Sequence, residues 1–462
     1  MPIPNSVEAR DIAFHLHPAT NAKKHLEAGP LVIERGEGIH VFDASGRKYI
    51  EALAGLWCAG LGFSDDRVAD AVYKQMKTLP YYHTFAHRSH GPVVDLAEKL
   101  IAMAPAPMSK VFFTNSGSEA VDTVMKLVWY RSNAMGQPQK KKFIARERAF
   151  HGLTAAASCL TGLPGNHRGF DLVFDGVLRV TAPDHYRNAL PGESESAFAT
   201  RLAEELEALI LAEGPETIAA FIGEPVMGGG GVIVPPMDYW PKMQAVLRKY
   251  DILTVADEVI CGFGRTGTMF GSTTLGIEPD IMTLSKQLSS AYLPISAVMV
   301  NEKTVAPIIE QSGDLGILGH GFTASGHPVA AAAAVEVLRI IEEDKLVENA
   351  ARSGAHLRAG LAKLADHPLV GNVRGVGLMA AVELVLDKET KTAIPGQPGA
   401  LGLLVNTRLQ ELGVLTRAMV DTVGFSPPLI ITIAEVDALL ALFTQALDDV
   451  AASLAAATLE PA

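Results

Sequence analysis

The chain has 462 residues, long enough for roughly two or three domains and a large buried core. Hydrophobic residues make up 48% and charged residues 19%, which excludes general disorder. Lys plus Arg total 39 against 51 Asp plus Glu, a net charge of −12, so phosphate neutralisation on a nucleic acid and attraction to an anionic membrane are both poor matches.

The N-terminal stretch MPIPNSVEARDIAFHLHPATNAKKH has no basic start followed by an apolar run, so no signal peptide is expected. His15 and His17 form an H-x-H pair, but without an evident third ligand nearby no metal site is expected. VFDASGRKYI predicts a strand-turn-strand about Asp43–Gly46, packing with the C-terminal part of the chain. Further along, Val111–Thr114 reads as a strand, Glu119–Ala134 as a helix and Phe143–Arg146 as another strand. Arg201–Ala212 is a helix followed by the strand Ile218–Ile222. Met237–Tyr250 is a helix followed by the strand Ile252–Ala256, and Ile281–Ser285 and Ile295–Val300 are two more strands. This alternation predicts an α/β fold with a mostly parallel sheet covered on both faces, ligands gathering at the carboxyl ends of its strands. An alanine-rich helix over His327–Glu342, a helix over Glu348–Leu364, a strand-like VRGVGLMAAVEL and a last helix read as a smaller α+β domain beginning near residue 330. The three cysteines, Cys58, Cys159 and Cys261, are too far apart for a CxxC zinc site and imply no disulfide framework. No run approaches about 18 uninterrupted apolar residues, so no membrane span is expected and a cytoplasmic setting is.

Four segments offer chemistry. In Thr114–Ala120 a strand runs through a small polar turn into a helix. Ser116 and Glu119 have capping-box spacing, and the free amides around Gly117 and Ser118 suit an anion, although an ordinary N-cap reads the same way. Asp257, directly after ILTVA, places a carboxylate at a strand end, where it serves either a site or a cap. Lys286 follows another strand 29 residues later, as a surface charge or as a Schiff-base amine. Gly262–Gly267 matches G-x-G-x-x-G, but neither the helix nor the acid of a dinucleotide site follows, so it reads as a tight loop. Gly228–Gly231 reads as a close-approach or flexible turn. With the flat Phe150-His151-Gly152 segment, the anion cradle, acid and lysine are together what pyridoxal phosphate requires.

The stretches GLWCAGLGF, LPYYHTFAHRSH, VFFTNSGSEAVDT, AAFIGEPVMGGGGVIVPP, VADEVICGFGRTG, DIMTLSKQLSS and GHGFTASGHP resemble class III (omega) aminotransferases of fold type I, close to the amine:pyruvate transaminases. The resemblance implies a seven-stranded large domain over 61–330, with segment 1–60 packing on a small domain over 331–462. It implies that Lys286 holds the cofactor and moves the proton, and that Asp257 keeps the ring nitrogen protonated. Ser116, Gly117 and Ser118 would bind the phosphate, and Thr323 the phosphate held by the partner subunit of a homodimer or tetramer. Phe150 and Val259 would cover the two ring faces, beside His151 and Glu224. Trp57, Phe85, Phe150, Gly230 and Ile260 would shape the substrate pocket. Arg417 would pair with a substrate carboxylate, and Arg88 would stand near the entrance. Many relatives carry tyrosine where this chain has Phe150, so no polar role is given to that residue. The implied reaction moves nitrogen from a primary amine or ω-amino acid donor to pyruvate by a ping-pong route. A 2-oxoglutarate-dependent enzyme or an aminomutase is the same-fold alternative. A regulator without turnover would carry an appended DNA-binding domain, which is not evident.

Overall fold

The computed structural model describes residues 5–459; the first four residues of segment 1–60 and the last three of segment 331–462 lie outside them. Seven strands form the central sheet: β1 (Lys110–Thr114), β2 (Lys142–Arg146), β3 (Val177–Val180), β4 (Ile218–Gly223), β5 (Leu253–Asp257), β6 (Ile281–Leu284) and β7 (Ser296–Val300). Their order is β1-β7-β6-β5-β4-β2-β3. Neighbours pair in parallel except β7, which runs antiparallel to both β1 and β6. β3 is a strand that the sequence reading lacks, because its four residues include the charged Arg179 and offer no apolar run.

Alternation along each strand feeds two separate cores. Phe143, Ala145, Ile222, Val255, Ile281 and Val298 meet Val121, Val124 and Val128 of the helix Gly117–Ala134 on one face. Ile144, Phe221, Ala256 and Met282 point the other way, towards Phe198, Leu206, Trp240 and Met243 of the helices Glu195–Glu213 and Tyr239–Lys249. Two apolar faces explain why β4, β5 and β6 read as continuous rather than alternating runs. Each fully buried Val, Ile or Phe contributes roughly 1.5–3 kcal/mol by leaving water.

The chain ends share structure. Ile33–Glu37, His40–Asp43 and Lys48–Glu51 form an antiparallel sheet, and Val414–Leu415 joins it in parallel beside Ile50 and Glu51. VRGVGLMAAVEL is not one strand but a hairpin, Val370–Val376 with Met379–Leu384. Gly377 turns it at φ 52°, where an added Cβ would lie 2.1 Å from the Thr266 backbone. Gly264 and Gly267 also take positive φ, and the buried Arg265 between them donates to the carbonyls of Leu378 and Pro427. The Gly262–Gly267 loop is thus a structural tie to the C-terminal part.

One helix among the described residues, Ile433–Ala456, has the length and mean hydropathy (1.4) of a membrane span by composition alone. It buries Val436, Leu439, Phe443 and Leu447 in the core, and its Asp437 and Asp449 pair with His356 and Arg408.

Candidate active site

The carboxyl ends of β1, β5 and β6 open on a cavity of about 400 Å3 whose walls include Ser116, Gly117, Ser118, Phe150, His151, Glu224, Asp257, Val259, Ile260 and Lys286. Each reaches it for a local reason. Ser116 caps the helix Gly117–Ala134, its Oγ accepting from Glu119 N at 3.2 Å. The Glu119 carboxylate reaches back to Asn115 N and Nδ2, at 2.7 and 2.9 Å, rather than to the Ser116 amide of a standard capping box. The Gly117 and Ser118 amides, first in the helix, have no acceptor within the described residues and sit where the helix dipole favours negative charge. Ser118 Oγ accepts from Leu153 N at 3.1 Å. Gly152 makes that approach possible: it holds φ +128°, and a Cβ there would stand 2.6 Å from Ser118 Oγ.

Asp257 and Glu258 are adjacent acids that part company. Asp257 ends β5 facing the cavity, its Oδ2 2.7 Å from His151 Nδ1, its Oδ1 accepting from Val259 N at 3.1 Å and from Thr283 Oγ1 at 3.0 Å. Burial works to raise its pKa, yet His151, the Val259 amide and the Lys286 charge outweigh burial and hold the carboxyl below its ordinary value. Glu258 turns away and accepts from Gly271 N, Ser272 N and Ser272 Oγ, so it caps the helix Gly271–Leu275. Glu224 bridges two backbone amides, Phe150 N at 3.0 Å and Gly228 N at 2.9 Å, and its burial raises its pKa.

Lys286 opens a 3-10 turn directly after β6, at φ 46°. Among the described residues nothing hydrogen-bonds its amine, and burial lowers its pKa against the opposing pull of Asp257. A left-handed lysine is a strained conformation of the kind kept where surrounding structure enforces it.

These residues fit pyridoxal phosphate. Two free helix amides suit a phosphate, an ionised buried acid suits a protonated ring nitrogen, and an unpaired amine of lowered pKa suits an aldehyde. His151 Nε2 is buried without a hydrogen-bond partner among the described residues.

Other positions lie elsewhere in this chain. Trp57 is 3% exposed and packs toward Gly424, while its neighbours Leu56 and Cys58 line the cavity. Gly230 faces Arg148, whose carbonyl would be 2.5 Å from an added Cβ. Phe85 lines a separate groove with Gly321, and Arg88 beside it is exposed. Thr323 is exposed, its carbonyl accepting from Tyr81 OH at 2.8 Å. Arg417 is exposed on the short strand Arg417–Met419 and pairs with no acid among the described residues. The sequence reading omits Asn115, Leu56, Cys58, Ser285 and Leu293, which also line the cavity, and Thr283, which touches Asp257. Only the β5–β6 register, Asp257 opposite Thr283, reveals the last. Around the N-terminal H-x-H pair the chain folds back so that Asp11 bonds both His15 and His17, and His25 bonds Asp11, neighbours that the sequence spacing does not reveal.

Residues 21–447 match the family described as aminotransferase class-III. The chain is similar to the mitochondrial gamma aminobutyrate transaminase 1 of Solanum lycopersicum, 51% identical over 433 residues, 94% of this chain and 84% of the relative. It is also similar to the vanillin aminotransferase of Capsicum chinense, 48% identical, covering 91% and 92% of the two chains. Among solved structures, the omega transaminase of Pseudomonas jessenii in complex with PMP superposes with a TM-score of 0.95 at 62% identity, covering 96% of this chain and 98% of that one. A transaminase with L-alanine superposes at 0.91 and 62% identity, covering 92% and 100%.

Proposed function

The chain belongs to the class-III aminotransferases and uses pyridoxal phosphate, and from that premise we propose that it transfers the amino group of a primary amine or ω-amino acid to pyruvate, giving alanine, in two half-reactions. The observation that carries the reading is the convergence of Lys286, the His151–Asp257 pair and the free helix amides on one cavity. The relative named for γ-aminobutyrate supports a donor whose nitrogen is remote from its carboxylate, and the similar transaminase with L-alanine supports pyruvate as acceptor.

When bound, the cofactor supplies an aldehyde for the donor nitrogen and a ring that accepts electrons from the carbon losing its proton. The chain does the rest. Lys286 holds the cofactor and, once free, carries the proton at Nζ; its lowered pKa keeps more of the amine neutral at a given pH. Asp257 stays ionised and keeps the ring nitrogen protonated, with His151 fixing one of its oxygens. Ser116, Gly117 and Ser118 hold the phosphate. Phe150 and Val259 would flank the bound group, and Glu224 ties the Phe150 backbone to the glycine turn.

Arg417 pairs with a substrate carboxylate and swings out for an apolar amine, its planar fork suiting two carboxylate oxygens. Ile260 bounds the substrate space, Trp57 lies between its wall residues Leu56 and Cys58, and Gly230 fixes the loop beside it. The functional unit is a homodimer in which Thr323 reaches the phosphate of the partner's site, with Phe85 an aromatic wall of the substrate pocket and Arg88 near its entrance. All three are exposed in the single chain, as that arrangement requires. The test is a panel of amine donors with pyruvate and 2-oxoglutarate as alternative acceptors. Pyruvate should be the faster acceptor by at least tenfold in kcat/KM, roughly 1.4 kcal/mol. Preference for 2-oxoglutarate would overturn that part of the reading.

A further inference from the structure

The N-terminal arm consists of two short helices, Val7–Phe14 and Ala22–Ala28, and neither buries a single residue. Its larger apolar side chains face water, with Phe14 87% and Leu16 82% exposed. A hydrophobic core therefore does not hold the arm's fold. What draws the helices together is a polar cluster. Asp11 Oδ1 lies 2.7 Å from His17 Nε2 and 3.0 Å from His25 Nε2, and Asp11 Oδ2 lies 3.1 Å from His15 Nδ1. The rings crowd, with centroids 4.2 Å apart for His15–His17 and 4.1 Å for His17–His25. All three imidazoles line a cleft of about 350 Å3 open at the surface.

We propose that Asp11, His15, His17 and His25 form a binding site for one divalent transition-metal ion of the Zn2+ type, which clips the two helices of the arm together. Three neutral imidazoles and one carboxylate are a ligand set suited to Zn2+, which takes four nitrogen, oxygen or sulfur ligands in a tetrahedron. Bonds of about 2.0–2.2 Å place the ligand atoms of such a site roughly 3.3–3.6 Å apart. The carboxylate–imidazole separations of 2.7 to 3.1 Å are shorter than that by roughly half an ångström, and the ligand atoms of Asp11, His15 and His17 all lie within 4.8 Å of one another. His25, hydrogen-bonded to Asp11 at 3.0 Å, turns inward to complete the shell. The proton each imidazole now directs at Asp11 moves to its other ring nitrogen: His15 Nε2, His17 Nδ1 and His25 Nδ1 have no protein partner among the described residues. Four ligands from one short stretch that closes a helix-turn-helix make metal binding and arm folding one event.

The test uses the full-length holoenzyme, stripped with chelator and titrated with Zn2+ alone, then with Co2+, whose tetrahedral bands between 500 and 650 nm (approximate limits) report geometry. The controls are His17→Gln and His25→Gln, singly and combined, because glutamine keeps an N–H donor for Asp11 but cannot supply the ring nitrogen. The wild type is expected to bind one equivalent more than the double variant, at micromolar Zn2+ or below, with intense Co2+ bands and slower proteolysis within residues 5–30. The double variant should bind at least ~100-fold more weakly while its metal-free proteolysis matches that of the metal-free wild type. Equal stoichiometry in wild type and double variant would overturn the proposal and leave a hydrogen-bonded cluster. So would a wild type that takes up no Zn2+ at 100-fold molar excess.

Discussion

His151 Nδ1 and Asp257 Oδ2 stand 2.7 Å apart, with both side chains almost wholly out of solvent. The ring arrives from the loop after β2 and the carboxylate from the end of β5, so the contact joins two non-adjacent strands over β4. It commits one oxygen of Asp257, and Val259 N and Thr283 Oγ1 commit the other. The carboxyl is thereby oriented and kept ionised.

Asp257→Asn removes that charge while retaining shape. We expect kcat to fall by at least ~100-fold, the scale seen on removing one pre-organised electrostatic partner. Far-UV circular dichroism should stay unchanged. Near-wild-type turnover would remove Asp257 from the reaction.

Lys286→Ala deletes the only lysine among the described residues that line the cavity. The purified variant should lack the long-wavelength absorption of lysine-held cofactor and should have no measurable transamination. A retained band that alanine still bleaches would assign the attachment to another amine.

Gly152→Ala places a methyl 2.6 Å from Ser118 Oγ at a φ of +128° that alanine adopts only under strain. Strain of about 1–3 kcal/mol should appear as cofactor affinity weakened roughly 5- to 150-fold. Dialysis would then strip the variant faster, and excess pyridoxal phosphate would restore its activity. Unchanged retention would show that Ser118 and its turn do not hold the phosphate.

Arg417→Ala tests carboxylate recognition. A hydrogen-bonded charged pair contributes about 1.5–3 kcal/mol, so KM for pyruvate should rise roughly 10- to 150-fold, with little change for an uncharged arylalkyl amine. Equal losses for both substrates would give Arg417 a structural role instead.

Glu51 yields a pH prediction. Its burial pushes the carboxyl up to about 7 from 4.5, against hydrogen bonds from Leu53 and Gly55. A carboxyl with a raised folded-state pKa is protonated in both folded and unfolded chains below 4.5 and carries no penalty there. The penalty grows as pH rises from 4.5 to 7 and is complete above 7, where it amounts to about 3 kcal/mol. Glu51→Gln should therefore stabilise the protein at pH 8 and hardly at pH 4.5 in urea unfolding. A pH-independent difference would contradict the burial argument.

The strands carrying Asp257 and Lys286 were legible because both faces of β5 and β6 are covered, which writes them as uninterrupted apolar runs ending at the chemistry. β3 was illegible because Arg179 sits among its four residues. The Gly377 turn looked like part of a strand, since only the packing of Thr266 against it demands glycine. Sequence spacing separates Asp11 from His25, and the fold-back that unites them is visible only in three dimensions. Thr323 would need a second chain for the role that resemblance gives it, and no property of one chain's sequence states that geometry.

The four consecutive glycines at 228–231 set a boundary on adaptation. Side chains added at 228, 229 and 230 would meet Ile260 at 2.5 Å, Phe150 at 3.2 Å and the Arg148 carbonyl at 2.5 Å, and Gly231 holds φ +116°. That turn is packed so closely against its neighbours that it leaves no room for a side chain. Sequence variation recovered from any selection on this protein should therefore spare the glycine run and fall on positions with room around them.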